Sequence, residues 1–227
     1  MNLNDELIEK MFSIPLFRNY TSDMRNEALA KLQYGLYEYP KGEIIIRQGE
    51  TCRYVHILLQ GKLNVDVLDL SGNEIRVETI RAPRTFGTPH VFSEKNVFPA
   101  TFTVVEDLIL MRVTSESFFA LMSNTPLLLR NFLCVSANCN KCTMARLRVL
   151  TYRSIRTRFI SYLFDRLTEA SNTVKLEHNQ EQLAEYLGVT RPALAKEIRK
   201  LIDEGYIRFN CRDEVIIIRR QALLQML

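Results

Sequence analysis

The chain from residue 179 to residue 213 carries apolar positions at helical spacing, interrupted by glycine. Leu183 and Leu187 share one face of a first predicted helix. Asn179 is its expected N-cap, and Gly188 is expected to end it, because glycine readily adopts the left-handed conformation that closes many helices. The pattern therefore predicts a short helix that stops at Gly188.

A second short helix is predicted directly after this glycine. Thr190 is expected to cap it, and Pro192 falls in its first turn, where a missing N–H is tolerated. Leu194, Ile198 and Leu201 repeat at helical spacing and are expected to face a core. Two short helices joined at a glycine are typical of a helix-turn-helix unit, whose second helix lies in the DNA major groove. A plain helical hairpin is the alternative.

A hairpin is predicted to follow and favours the DNA-binding interpretation. Gly205 is expected to end the second helix, residues 206–209 and 214–218 have the composition of strands, and residues 210–213 that of a turn. A helix-turn-helix followed by such a wing is less often accidental than a helical hairpin alone. We therefore predict a winged helix-turn-helix.

The polar side of the second predicted helix is basic. Arg191 begins the helix and Lys196 follows a turn and a half later, so both are expected to read base edges. Arg199 and Lys200 lie further along, where the helix leaves the groove, and are expected to contact phosphates or solvent. The predicted DNA-binding residues are Gln180, Thr190, Arg191, Pro192, Lys196, Arg199 and Lys200.

Upstream, the pattern is first β-rich and then helical. Residues 36–113 form short β-rich runs punctuated by glycine, which predict a small antiparallel barrel or sandwich, and residues 69–73 are an expected hairpin turn. A short helix over 115–122, capped by Ser115 or Thr114, is predicted next.

A long helix is predicted from Pro126 to about Leu150. At ~24 residues it would span ~36 Å, too long to be covered by one small barrel. Pairing with its twin from a second subunit is favoured, because a DNA reader of this kind normally binds paired half-sites. Packing against its own barrel is the alternative. The predicted dimer-interface residues are Leu129, Leu133, Met144 and Leu147.

Composition and short motifs indicate the cellular location and argue against an enzyme, but they do not identify the function. The chain has 227 residues and a net charge of +4, and six cations without an acid lie within residues 141–158. Five cysteines at irregular spacing fit reduced thiols better than a disulfide framework. No membrane span or signal peptide is apparent, so a cytoplasmic protein is expected. No nucleotide-fold, metal-helix or serine-elbow motif is present, so an enzyme is not expected.

The order of barrel, long helix and winged helix-turn-helix resembles the Crp/Fnr family of bacterial transcription regulators over essentially the whole chain. The matching segments are KGEIIIRQGE, ILLQGKLNV, LSGNE, the pair Phe86-Gly87, and QEQLAEYLGVTRPALAKEIRKLIDEG. The resemblance implies an α+β fold with an N-terminal antiparallel β-roll like a cyclic nucleotide-binding domain. It implies an effector-sensing domain with flanking helices over 1–125, a dimerisation helix over 126–152 and a DNA-binding domain over 153–227, with a hinge near 152–155.

The same resemblance implies the partners. They are a double-stranded DNA operator, a second copy of the chain, RNA polymerase and a small-molecule effector whose identity the resemblance leaves unknown. Cyclic-nucleotide binders of the family carry a glutamate for the ribose and an arginine for the phosphate. Here Thr88 and Phe98 stand at those positions, so cyclic AMP and cyclic GMP are not expected to bind. The expected effector pocket comprises Phe86, Gly87, Thr88, His90, Phe98, Ala100 and Thr143.

Haem, which some members of the family bind in the β-roll, is the remaining named cofactor. His90, in the loop beside the expected pocket, is the one histidine suited to an axial ligand, whereas His56 fits a half-buried structural role and His178 a surface position. No metal site is expected. Cys134, Cys139 and Cys142 would point across nearly half of the long helix, which favours packing at the dimer seam, with a redox role across the dimer left open.

Overall fold

The computed structural model describes residues 3–68, 72, 74–168 and 171–227, without the side chains of residues 139–143. The chain divides into two compact units, Met1–Cys139 and Asn140–Leu227. Helix α5 contributes residues to both units.

The first unit is built on an antiparallel sheet. Its strands are β1 (Tyr34–Tyr39), β2 (Ile44–Ile46), β3 (Tyr54–Leu68), β4 (Glu74–Arg81), β5 (Arg84–Phe86) and β6 (Thr101–Thr114). The sheet order is β1-β6-β3-β4, with β2 paired to β6 and β5 paired to β3. Along β6, Phe102, Val104, Leu108 and Leu110 are buried, and this set closes the interior of the roll.

Helices flank this sheet. They are α1 (Asp5–Ser13), α2 (Ser22–Lys31), α3 (Thr88–Val91), α4 (Ser115–Asn124) and α5 (Pro126–Thr151), with a 3-10 turn at Pro15–Phe17. Thr114 caps α4, since its hydroxyl accepts from the Ser117 amide. Leu128 and Phe132 of α5 are buried in the core of this unit. Within the described chain no single helix could cross a membrane; α4 and Pro126–Asn138 satisfy length and composition only jointly, bent by 118°.

The second unit contains the helix-turn-helix and its wing. Its elements are α6 (Ile155–Arg166), β7 (Thr173–Lys175), α7 (Gln180–Leu187), α8 (Arg191–Asp203), β8 (Ile207–Cys211), β9 (Glu214–Ile217) and α9 (Arg220–Leu224). The three strands form an antiparallel sheet in the order β7-β9-β8. The β8–β9 hairpin was expected from the sequence; its pairing with β7 was not.

The core of this unit joins α6, α7 and α8. Leu183, Leu187, Leu194, Ile198 and Leu201 are all buried, as the helical spacing predicted. Burying each such side chain contributes about 1.5–3 kcal/mol. The α+β fold class is confirmed. The predicted turn at 69–73 lies outside the described residues apart from Gly72, and the division into three functional segments stays a prediction.

Candidate nucleic-acid interface and effector loop

Helix α7 begins at a reciprocal cap. The Asn179 side chain accepts from the amides of Glu181 (3.0 Å) and Gln182 (2.9 Å), and the Gln182 side chain accepts from the Asn179 amide (3.1 Å). This capping box satisfies helix-terminal donors that would otherwise be unpaired. The predicted N-cap is confirmed, and it leaves Gln180 exposed in the first turn.

Gly188 makes the turn between the two helices. Its φ of 65° and ψ of 41° are left-handed, and the Val189 amide bonds back to the Ala184 carbonyl at 2.9 Å. A Cβ at this position would lie 3.1 Å from Cδ2 of Leu150. Both the backbone conformation and the close neighbour therefore favour glycine.

Helix α8 begins as predicted at Arg191, with Thr190 at the N-cap and Pro192 in its first turn. Thr190 occupies the N-cap position with extended backbone, yet its side chain makes no capping hydrogen bond. Pro192 lacks the N–H of position N2, and the Thr190 carbonyl accepts from the Leu194 amide at 3.0 Å. Thr190 is therefore the N-cap residue, as predicted, but the helix does not use its exposed hydroxyl.

The cations of α8 differ in how they are paired. Lys200 Nζ lies 2.6 Å from Oε1 of Glu197, and Arg199 Nε lies 3.9 Å from Oδ1 of Asp203. Arg191 and Lys196 are exposed and form no ion pair or side-chain hydrogen bond with the described part of the chain. These two side chains are therefore available to an external partner.

Arg156 of α6 is an organising residue that the sequence did not single out. Its guanidinium binds the Glu204 carboxylate through two bonds of 2.7 and 2.8 Å and contacts Glu197 at 3.3 Å. The hydrogen bond from Arg156 lowers the pKa of Glu204, and that from Lys200 lowers the pKa of Glu197. These contacts hold the start of α6 against α8 and neutralise the acids on that side of α8.

Arg158 performs a similar role at the turn. Its Nε donates to the Tyr152 carbonyl (2.8 Å), its Nη1 to the Leu187 carbonyl (2.9 Å) and its Nη2 to the Leu150 carbonyl (3.4 Å). One guanidinium thus ties the bend between α5 and α6 to the end of α7. A cation near these last helical carbonyls also complements the helix dipole.

His178 is not the surface residue that the sequence suggested. It is half-buried, its Nδ1 lies 3.0 Å from the Tyr162 hydroxyl, and its ring packs 5.1 Å from that of Tyr186. Burial lowers the pKa of His178 and raises the pKa of Tyr162 to about 12. Arg166 lies 3.8 Å above the Tyr162 ring. This cluster supports the segment that leads into α7.

The expected effector loop of the β-roll is closely packed. Gly87 has a φ of 71°, and a Cβ on it would lie 2.8 Å from a ring carbon of Phe98. Phe98 is only 2% exposed, and its ring centroid is 5.4 Å from those of both His56 and Phe102. A buried phenyl ring, rather than a cation, therefore occupies the position at which the family resemblance implies a phosphate ligand.

The loop also presents few backbone donors. The Phe98 amide donates to the Glu50 carbonyl at 2.8 Å, and the His90 amide to the Gly87 carbonyl at 2.9 Å. Pro89 and Pro99 have no N–H to offer. Thr88, Phe86 and Ala100 are buried beside them. Of the seven expected pocket residues, only Thr143 cannot be placed, since its side chain lies outside the described residues.

His56 of this unit does not fit the role of an axial haem ligand. His56 is more buried than predicted, at 2% exposed, and packs between Phe86 (5.1 Å) and Phe98. Burial lowers the pKa of His56 to about 3. His90 is half-buried at the loop, and burial lowers its pKa too. The aromatic packing leaves the His56 ring no face for a porphyrin, and the described residues contain no cluster of three or more metal-ligating side chains.

The predicted dimer residues of α5 are exposed in the single chain. Leu129, Leu133, Met144 and Leu147 have exposed fractions of 41%, 58%, 65% and 53%. Helical spacing places Leu129 and Leu133 of the first unit about 40° apart around the helix axis, and Met144 and Leu147 of the second unit about 60° apart. Cys134 is also exposed, whereas the side chains of Cys139 and Cys142 fall outside the described residues.

Comparison with known proteins assigns both units. Residues 36–125 match the cyclic nucleotide-binding domain family, and residues 157–226 match the Crp-like helix-turn-helix domain family. The chain is 24% identical over 211 residues to the cyclic AMP receptor protein of Thermus thermophilus, covering 93% of this chain and 95% of that protein. It is 25% identical over 199 residues to the "Probable transcriptional regulator flp" of Lacticaseibacillus casei, covering 86% and 87%.

A solved structure of a CooA mutant from Carboxydothermus hydrogenoformans superposes with a TM-score of 0.63 at 16% identity, covering 92% of this chain and 91% of that chain. At this identity the likeness concerns the fold alone. The cyclic nucleotide-binding match precedes the helix-turn-helix match along the chain, which is the order of domains that the sequence predicted. The chain belongs to the Crp/Fnr family of transcription regulators, with a cyclic nucleotide-binding domain followed by a Crp-like helix-turn-helix domain.

Proposed function

We propose that the protein binds a double-stranded DNA operator sequence-specifically through α8 and does so without a cyclic nucleotide. The observation that carries the proposal is the pair of exposed, unpaired cations, Arg191 and Lys196, on a helix whose other face is buried in the core of its unit. Guanidinium and ammonium groups in the major groove form strong contacts with the O6 and N7 acceptors of guanine.

The other polar residues of α7 and α8 are proposed to contact the DNA backbone rather than the bases. Arg199 and Lys200 are already paired with acids of α8, which suits contacts with backbone phosphates more than discrimination between bases. Gln180 and Thr190 lie exposed at the starts of α7 and α8, where helix N-termini favour phosphates. Pro192 stands where family members usually carry a glutamate, so the operator should differ from the family's common half-site.

A homodimer is the form in which we expect the protein to bind. Regulators of this family bind DNA as dimers. The exposed stripe of Leu129, Leu133, Met144 and Leu147 offers an apolar surface for a second α5. The relatives are transcription regulators rather than enzymes. We therefore expect RNA polymerase to be a further partner. For the same reason we expect the protein to lie in the cytoplasm.

The effector is proposed to be something other than cyclic AMP or cyclic GMP. Thr88 offers no carboxylate to a ribose, and Phe98 turns its ring into the core among His56 and Phe102. A ligand phosphate would be desolvated there without a compensating charge, which is strongly unfavourable. No observation favours a haem-based sensor over an unidentified small-molecule effector.

Selection of duplexes from a random library tests the DNA-binding proposal. The full-length protein should enrich one sequence with two related half-sites whose centres are about 10 base pairs apart. Since Arg191 and Lys196 are exposed, their double alanine variant should fold and lose this enrichment. A library that remains random after several rounds with the wild-type protein would contradict the proposal.

Calorimetric titration separately tests the proposal that cyclic AMP is not the effector. Cyclic AMP up to millimolar concentration should release no binding heat and leave operator affinity unchanged. Micromolar binding that strengthens operator affinity would show that the β-roll holds the nucleotide through other groups.

A further inference from the structure

A cleft lies on the first unit, between the segment after the Pro15–Phe17 turn and the outer side of α5. Its volume is about 230 Å³, enough for a small metabolite. Arg18, Asn19, Arg130, Cys134 and Asn138 are among the side chains that line it. It involves none of the residues of the effector loop or of α8.

The cleft is held in shape by one side chain. Nδ2 of Asn131 donates to the carbonyls of Leu16 (3.1 Å) and Arg18 (2.9 Å), which pins the loop to α5. Leu16 is fully buried, so the loop is anchored in the core as well. Asn19 follows with a φ of 64°, a left-handed conformation that asparagine tolerates better than most residues. The wall that presents Arg18 is therefore preformed.

The charge of the cleft is uncompensated. Arg18 and Arg130 both line it, and neither forms an ion pair or a side-chain hydrogen bond with any residue that the structure describes. None of the lining residues is acidic. Both arginines are exposed, and guanidinium groups bind carboxylates and phosphates through paired donors.

We propose that this cleft binds a small organic dianion, a phosphate ester or a dicarboxylate. The two arginines bind its charges, Asn19 and Asn138 supply amide donors, and Leu127 covers its carbon skeleton. The lining positions of α5 are centred roughly 150° around the helix from the midpoint of Leu129 and Leu133, so a dimer formed through those leucines leaves the cleft open.

Thiol labelling of the full-length protein tests this proposal, because Cys134 lines the cleft and is exposed. The labelling rate with N-ethylmaleimide is measured by peptide mass spectrometry at constant ionic strength, with inorganic phosphate in one series and succinate in another. Cys211, exposed on the second unit, is the internal control. At least one of the two anions should saturably slow labelling of Cys134, by about five-fold or more near saturation, and leave Cys211 unaffected.

Variants distinguish binding from screening. Arg18→Gln and Arg130→Gln should each weaken the protecting anion about ten-fold through loss of a charge-assisted contact. Arg53→Gln removes an exposed charge from the same unit outside the cleft and should change nothing. Protection by phosphate alone assigns phosphate esters, and protection by succinate alone assigns dicarboxylates. The proposal is overturned if neither anion slows the labelling of Cys134, or if Cys211 is protected equally. It is also overturned if protection of Cys134 is undiminished in the Arg18→Gln/Arg130→Gln double variant.

Discussion

Replacing Arg158 with methionine should loosen the helix-turn-helix while leaving the DNA-facing side chains in place. The substitution keeps an unbranched apolar stem, shorter than that of arginine, and removes the donors to the carbonyls of Tyr152, Leu187 and Leu150. These carbonyls belong to the bend after α5, the last residue of α7 and the last turn of α5. Their loss should therefore reduce the stability of the second unit.

The size of the effect follows from the geometry. Two of the three bonds are short, at 2.8 and 2.9 Å, and the third, at 3.4 Å, is weak. A hydrogen bond from a charged donor contributes about 1.5–3 kcal/mol. Because the side chain is only half-buried, water partly replaces the lost donors, and we expect a destabilisation of about 2–4 kcal/mol.

Native-state hydrogen exchange measured by mass spectrometry resolves the two units separately. Protected amides of α7 and α8 should exchange roughly 30- to 700-fold faster in Arg158→Met, since 1.4 kcal/mol corresponds to a factor of ten. Peptides from β3 and β6 should not change. Arg153→Met is the matched control, because Arg153 is exposed and has no side-chain partner among the described residues. Exchange in α7 and α8 within about three-fold of the wild type would refute the role given to Arg158.

Three further predictions address phosphate contacts, the dimer and the β-roll core. Arg199→Gln should flatten the dependence of log K on log salt by up to ~0.9 without changing base preference, measured by fluorescence anisotropy; a loss confined to particular operator variants would contradict it. Leu147→Asp should sediment as a monomer, whereas Leu224→Asp, which is similarly exposed on α9, should stay dimeric; a dimeric Leu147→Asp protein would exclude α5 as the seam. The pKa of His56 is about 3 in the folded chain and ~6.5 when unfolded, so the unfolded state binds the extra proton and stability falls by up to ~1.4 kcal/mol per unit as pH drops below 6.5. His56→Phe should lose this contribution in urea titrations from pH 7 to 4, and an unchanged slope would contradict it.

The local features of the DNA-binding unit were predictable because their signals are short-range. The cap at Asn179, the stop at Gly188 and the apolar repeat from Leu194 to Leu201 each depend on residues within a few turns of one another. Such patterns report the conformation that the backbone favours locally.

The organising contacts were not predictable, because they join residues distant in the sequence. Arg156 meets Glu197 and Glu204, which lie 41 and 48 positions away, and no spacing rule connects them. His178 was expected at the surface, yet Tyr162 and Tyr186 partly bury it. The burial of a titratable side chain such as His178 depends on helices that are distant in the sequence, so the sequence pattern does not predict it.

In the effector loop, too, the local substitutions were predictable from the sequence and the long-range packing was not. The substitutions Thr88 and Phe98 were visible in the sequence, and they identify which polar anchors are missing. The inward packing of Phe98 depends on His56 and Phe102, which belong to β3 and β6. The sequence therefore predicted the loss of the anchors and not the closely packed aromatic cluster that replaces them.

Base discrimination by Arg191 tests the central claim most directly. Fluorescence anisotropy of the full-length protein is measured on the selected operator and on its single-base-pair variants, for the wild type and for Arg191→Ala. We expect Arg191→Ala to lose about 1–3 kcal/mol on the selected operator and to relax discrimination at one base pair of each half-site while keeping it elsewhere. A uniform loss on every duplex, with discrimination unchanged at all positions, would contradict the assignment of Arg191 as a base-reading residue of α8.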